Sequence, residues 1–467
     1  MDLVAEQKIV QNWLGSFHCN ENPWKLAFIE KVGRGLIATR DIAVNELILR
    51  EPPLIIGPVG NDKSSVICAL CFKLISTADV CSNCLLSVCS GCLEKGHHEE
   101  ECSFLKSLSL NTTESSQQLD RCLTIARGLF LDKSKKNILN LMQCNCNNET
   151  ENMIDNLLKQ AHHKNGKLRN ELVRTAAVFN TNAFQIVVNL SSERKTDLRG
   201  LYPLMGLINH SCSANCRYST DSNYIMSLYA RKPIRIGQEI VISYAKMLWS
   251  TPSRQSYLKI TKQFTCKCDR CNDPTEGSTY LSALKCFRHT CSGLLLPVDP
   301  INFYSAWKCS ICSDLSDYRR ILRMQEVVSC MVDAIESNKS AQEIDEFINN
   351  RLLKVLPASN QYVVEMKMKI ISFNLKDRPI NHCELVEKYC LDVLQLLEKL
   401  QAGECTLKGI IQYKLFQCRQ LIANTRKYSK SEIESSQRKL LMNAWSILKD
   451  NIVAPIDLSN TIENWSL

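Results

Sequence analysis

Sulfur ligands dominate the chemistry open to this chain of 467 residues, 25 of which are cysteines. The first run reads Cys68-x2-Cys71, Cys81-x2-Cys84, Cys89-x2-Cys92 and His98-x3-Cys102, eight candidate ligands within 35 residues. Interleaved pairs of this kind build two tetrahedral zinc sites, with His97 a rival to His98 for the histidine position. A second run, "TCKCDRC", offers Cys266, Cys268 and Cys271, one thiolate short of a closed site. A third pairs Cys286-x4-Cys291 with Cys309-x2-Cys312, as in a zinc ribbon, and His289 competes there with Cys286 or Cys291. With Cys212, these runs take up fifteen of the 25 cysteines. The other ten, including Cys144 and Cys146 in "QCNCN", read as buried or incidental thiols. The first and third runs are thiolate-rich and closed, with no open position for water, which argues against a zinc hydrolase there.

Two further stretches carry polar chemistry at the ends of apolar segments. "NHSCSANC", residues 209–216, follows "LYPLMGLI" directly and sets Asn209, His210 and Cys212 where a buried strand would otherwise turn. "GQEIVISY" ends a strand on Tyr244. The elements that must position these groups come in two textures. Residues 22–57 alternate apolar and polar residues between Gly and Pro punctuation and read as short strands. The first cysteine run interrupts them like an insertion, and residues 115–175 are polar with helical spacing, "LDRCLTIARGLFL" most clearly. Strands return from 176 to 244 in "FQIVVNL", "YIMSLYA" and "IRIGQEIVISY". Beyond 318, Ile321, Met324, Val328, Met331 and Ile335 share one helical face, and two later stretches repeat the pattern, so the C-terminal region is all-helical.

Composition sets the limits. The length suggests about three domains, and 45% hydrophobic with 22% charged residues is ordinary for a globular protein. A net charge of +9 permits an acidic partner without demanding nucleic acid. No apolar run reaches the roughly 18 residues of a membrane span, and "MDLVAEQKIVQNWLG" lacks the basic-then-apolar pattern of a secretory signal. Cysteines in a chain without an export signal point to metal rather than disulfides, and to cytoplasm and nucleus.

Together these stretches resemble the SET and MYND domain-containing lysine methyltransferases. "GRGLIATRDI" is similar to the N-terminal SET motif, the eight-ligand run to an inserted MYND finger, "NHSCSANC" to the NHSCxPN box, "GQEIVISY" to the GEExxxxY strand, and "TCKCDRC" to the post-SET CxCxxC. "LKCFRHTCSGLLLPVDP…WKCSIC" resembles the extra ribbon of insect-type members. The resemblance implies an α+β multidomain protein: SET residues 1–60, a MYND finger at 61–106, a helical insertion at 107–175, core SET at 176–245, post-SET at 246–275, a ribbon at 280–316 and a tetratricopeptide-like bundle at 317–467. It implies that the NHSC segment is threaded under a neighbouring loop, a crossing rare among folds, and that Cys212 completes the site of Cys266, Cys268 and Cys271. Four zinc ions then follow. S-adenosylmethionine would meet Val32, Gly33, Arg34, Gly35, Asn182, Asn209, His210, Tyr244 and Phe264, with Phe264 over the adenine and Tyr244 as the catalytic tyrosine.

The implied reaction moves a methyl group from the sulfonium to a lysine amine of a histone or other protein. A lysine of pKa about 10.4 must first lose its proton, which an apolar channel and a neighbouring sulfonium favour. The alternative is a catalytically weak scaffold whose finger binds proline-rich partners in transcriptional regulation. DNA binding is not indicated, because residues 68–102 show no dense basic stripe, and a monomer is expected. This chain departs from the family pattern at Lys262, where members carry a second tyrosine, and at Ala214, where they carry proline. Its Cys89–Cys92 spacing is one residue short, and Val32 and Arg34 differ from the best-studied sequences.

Overall fold

The computed structural model describes residues 3–15, 22–58, 67–75, 80–95, 98–108, 122–146, 148–160, 165–189, 195–335, 339–375, 378–426 and 430–466. Ten short strands build the first half: β1 (Trp24–Ile29), β2 (Gly33–Ala38), β3 (Leu47–Glu51), β4 (Ile55–Pro58), β5 (Phe184–Asn189), β6 (Lys195–Leu201), β7 (Asn209–His210), β8 (Cys216–Thr220), β9 (Met226–Ala230) and β10 (Glu239–Ile242). They form three small sheets, ordered β1-β2-β10-β7, β3-β9-β8 and β4-β6-β5. Alternation decides their faces: in β1 Trp24 and Leu26 are buried while Lys25 is exposed. The inward residues of all three sheets meet in one core with Leu36, Ile48, Leu201, Met205, Ile208 and Ile240. β10 is antiparallel to β2 but parallel to β7, which brings Val241 beside Asn209 and Ile242 beside His210.

Two elements differ from the sequence expectation. The helix Gly166–Asn182 continues past residue 176, where strands were expected, and β5 begins only at Phe184. Asn165 caps it by accepting the amides of Lys167 and Leu168, and "RTAAVFNTN" contains neither Gly nor Pro to end it sooner. A helix at Leu3–Leu14 precedes the first strand, where no element is expected from the sequence. Its Val10 and Leu14 enter the core, and Gln7 Oε1 accepts the Leu26 amide at 2.9 Å.

Of "LDRCLTIARGLFL", residues 119–121 lie outside the described residues and 122–126 are helical. Arg127, just beyond, ties the first cysteine run to the sheets: it donates to Glu101 Oε1 at 2.7 Å and the Ala69 carbonyl at 2.9 Å on one side and to the Ile56 carbonyl of β4 at 2.5 Å on the other. The cysteine ribbon is a four-stranded sheet, β11 (Leu284–Lys285), β12 (Leu294–Pro297), β13 (Trp307–Cys309) and β14 (Leu315–Ser316). Its Leu284, Leu295 and Trp307 share a core with the helices that follow, among them Tyr318–Asp333, Gln361–Ser372, Ile380–Lys399 and Thr406–Arg426. Ile321 and Val328 are buried there, and Met324 and Ile335 pack against them, as the periodicity predicts.

This helical region docks on the strand-rich half at defined points. Gly403 has φ +60°, and a Cβ on it would lie 2.1 Å from the Arg231 carbonyl oxygen, so the position requires glycine. That carbonyl accepts the Glu404 amide at 2.9 Å, and the Ile452 amide bonds the Thr220 carbonyl at 2.7 Å. No described helix is long and apolar enough to cross a membrane.

Candidate active site

Sixteen side chains close into four clusters whose ligand atoms lie within 4.8 Å of one another: Cys68, Cys71, Cys89 and Cys92; Cys81, Cys84, His98 and Cys102; Cys212, Cys266, Cys268 and Cys271; Cys286, Cys291, Cys309 and Cys312. The first two interleave along the chain, and His98 rather than His97, which lies outside the described residues, takes the histidine position. His289 belongs to no cluster. The donor sets fit zinc, three of four thiolates and one of three thiolates with imidazole. Two observations support the fit. Both ring nitrogens of His98 are buried without a hydrogen-bond partner, a costly state unless one of them binds an ion. The described cysteines, in addition, are all free thiols.

The Cys212 cluster is assembled across the fold. β7 delivers Cys212, and the chain leaving the helix Thr251–Lys262 delivers Cys266, Cys268 and Cys271. Contact with the other three sulfurs pushes the Cys212 thiol far up and pulls Cys268 down, because four adjacent thiols cannot all ionise without a central cation. Arg254, fully buried on that helix, donates from Nε to Cys212 Sγ at 3.2 Å and from Nη2 to Cys271 Sγ at 3.6 Å. Its Nη1 pairs with buried Glu276 at 2.8 Å. Sequence reasoning missed both residues. The buried face of this helix is Thr251, Arg254, Gln255 and Leu258, a helical stripe with polar members that a search for apolar periodicity passes over.

His210 links this cluster to the tyrosine. Its Nδ1 accepts the Tyr244 amide at 2.9 Å, which fixes the proton on Nε2, 3.3 Å from Cys212 Sγ. Burial holds the imidazole neutral, down to about 4. The Tyr244 hydroxyl donates to the Ile208 carbonyl, and burial, then Glu239, pushes the phenol above its usual range. The rings of Tyr244 and Phe264 lie 5.2 and 5.8 Å from His210.

The glycine segment sits alongside. Asn209 Nδ2 donates to the Arg34 carbonyl at 3.0 Å and to Glu239 Oε1 at 2.8 Å, so only its Oδ1 is left to face a ligand. A Cβ on Gly35 would lie 2.7 Å from that Nδ2, which explains glycine there. Gly33 takes φ +101° at the β1–β2 turn with open space beside it, and Val32 before it is exposed. Arg34 reaches back to Glu6 at 3.4 Å. Asn215 was overlooked as well: its side chain bonds the Glu239 carbonyl and the Val241 amide, at 2.8 and 2.9 Å, like a strand. The Ala214 amide donates to the Ser211 carbonyl at 3.1 Å, a bond proline could not make.

Asn182 ends its helix with Nδ2 on the carbonyls of Gln143 and Val178, at 2.7 and 2.9 Å. Beside it, the Thr181 carbonyl accepts Lys262 Nζ at 2.7 Å, and the same Nζ lies 5.4 Å over the Tyr244 ring. Lys262 is half-buried, and desolvation, then Arg199, lowers its pKa.

A sequence profile of the SET domain matches residues 33–245. SET domain-containing protein SmydA-8, isoform B, of Drosophila melanogaster is 33% identical over 86% of this chain and 93% of that protein. Human histone-lysine N-methyltransferase SMYD3 is 27% identical over 54% of this chain and 62% of its own. The solved SET domain of LSMT bound to lysine and AdoHcy aligns over 100% of this chain and 92% of that one, with a TM-score of 0.34 and 13% identity. On this evidence the chain belongs to the SET and MYND domain-containing family of SET-domain lysine methyltransferases.

Proposed function

We propose that this chain transfers a methyl group from S-adenosylmethionine to a lysine of a protein substrate. The observation that carries the reading is the Cys212 cluster, which joins the segment of Asn209 and His210 to the tail of Phe264 beside Tyr244. Gly33, Gly35, the Asn209 Oδ1, His210 and Phe264 would hold the donor, whose sulfonium supplies an electrophilic methyl group.

The chain's own residues define the rest. The Tyr244 phenol stays protonated, and its hydrogen is committed to the Ile208 carbonyl. Its lone pairs are then free to accept a hydrogen from the incoming amine and to orient its own lone pair at the methyl carbon. A phenol held neutral is no general base, so the lysine proton leaves to water before transfer. A half-buried site favours that loss by penalising the ammonium. His210 fixes the Tyr244 backbone, so the ring is placed before substrate arrives.

Calorimetric titration with S-adenosylmethionine tests the donor site, and absence of heat at millimolar ligand refutes it. Tyr244→Phe should slow transfer about a hundredfold while leaving donor affinity in place. The resemblance of the first cysteine run to a MYND finger suggests a proline-rich partner as an accessory role. A catalytically weak scaffold is the second reading, and Lys262 in the position of the second tyrosine favours it. Donor binding with no methylation of any lysine would decide for the scaffold.

A further inference from the structure

The fold places Lys262 among the residues assigned to the methyl donor. Its amine touches the Thr181 carbonyl, next to Asn182, and lies over the ring of Tyr244. Phe264 follows two residues later in the chain. The backbone between them is constrained: Gln263 ends the helix Thr251–Lys262 in the left-handed region at φ +60°, and Cys266 enters the metal cluster three residues on. That turn fixes where the Lys262 backbone stands relative to the Cys212 cluster.

We propose that Lys262 is itself a methyl acceptor, taking a methyl group from the donor bound by its own chain. The inference rests on the methyltransferase reading above and names a substrate for it. A neutral Lys262 amine spends one N–H on the Thr181 carbonyl and keeps its lone pair. Burial and the neighbouring Arg199 favour that neutral form. In the transfer, the Nζ lone pair forms the N–C bond as the C–S bond breaks. The sulfonium leaves as a neutral thioether, S-adenosylhomocysteine, and the amine becomes a methylammonium that carries the positive charge. No oxidant or other reactant is needed. The Thr181 carbonyl can still accept a hydrogen from the methylated amine, and the ring of Tyr244 then faces the new cation. The product therefore fits the place of the reactant.

The test uses the full-length protein with its zinc and a deuterated-methyl donor, with no added substrate. The intact mass should rise by one methyl group, and fragmentation should place it within residues 260–265. The rate should be independent of protein concentration, as a reaction within one chain requires. Lys262→Arg, which keeps the positive charge and can donate to the same carbonyl, should lose this label. Protein that binds donor in calorimetry yet stays unlabelled at 262, or an arginine variant labelled to the same extent, overturns the inference. Where donor binds and an added peptide is methylated while Lys262 is not, the inference fails and the methyltransferase reading stands. Where no donor binds, both fall.

Discussion

The Cys212 cluster and the ribbon cluster share a donor set but are wired differently. The ribbon draws Cys286, Cys291, Cys309 and Cys312 from one local sheet, and nearby backbone amides serve its sulfurs: Gly293 to Cys291 at 3.4 Å and Ile311 to Cys309 at 3.5 Å. Gly293 is required, since its Cβ would meet Cys309 Sγ at 2.5 Å. The Cys212 cluster instead joins segments 54 residues apart, and a buried arginine from a helix serves two of its sulfurs. A local cluster staples a module too small to hold itself together. A cluster assembled from distant segments couples them, so its loss reaches whatever those segments carry.

The sharpest way to break this contrast is to remove one ligand from each. Cys212→Ser and Cys312→Ser should each lower the zinc content from about four ions to about three by elemental analysis. Only Cys212→Ser should also weaken donor binding, by about a hundredfold or more, the loss expected when a metal site's supports fail. Equal effects of the two variants on donor affinity would abolish the distinction.

Arg254→Met should come next, destabilising the fold by about 3–5 kcal/mol in denaturant melts, because Glu276 is left buried without that partner. It should also speed zinc release to a chelator from one cluster only.

Glu51 probes the other end of the same segment. Fully buried, it accepts the amides of Leu204 and Met205 and the Trp13 indole N–H, and desolvation raises its pKa to about 7. The folded chain therefore holds this proton more tightly than the unfolded chain, whose value is 4.5. The resulting stabilisation is fully present below pH 4.5 and is lost as pH rises through 7. Relative to Glu51→Gln, the wild-type chain should lose up to about 3 kcal/mol across that window, read from melts at each pH. A difference independent of pH would contradict this. The smallest effect is expected for Ala214→Pro. It loses the bond to the Ser211 carbonyl, at about 1 kcal/mol, partly offset by a stiffer unfolded chain.

Much of this architecture can be read from the residues. Cysteine spacing announces the clusters because a metal imposes short, regular intervals on its ligands, and β1 and the C-terminal helices follow from their periodicities. The spacing does not say whether His97 or His98 completes the first run, because neighbours in the chain differ only in where the folded loop points them. Arg254, Glu276, Asn215 and Glu51 were invisible for a related reason. Each is a polar residue buried for a partner distant in sequence, and nothing local distinguishes it from a solvated one. The run-on of the helix to Asn182 was missed because "AAVF" suits either a helix or a buried strand.

Arg231 gives the remote helices a hand on the pocket. Its carbonyl receives the amide of Glu404, while its guanidinium Nε props the carbonyl of Ala214 at 2.8 Å, inside the stretch that runs from Asn209 to Cys216. One residue thus spans the distance from the C-terminal helices to the loop that carries Cys212. A partner protein that tugs on the turn at Gly403 would have a mechanical route to the segment of Asn209 and His210, and a chain shortened before that turn would be expected to show a looser loop.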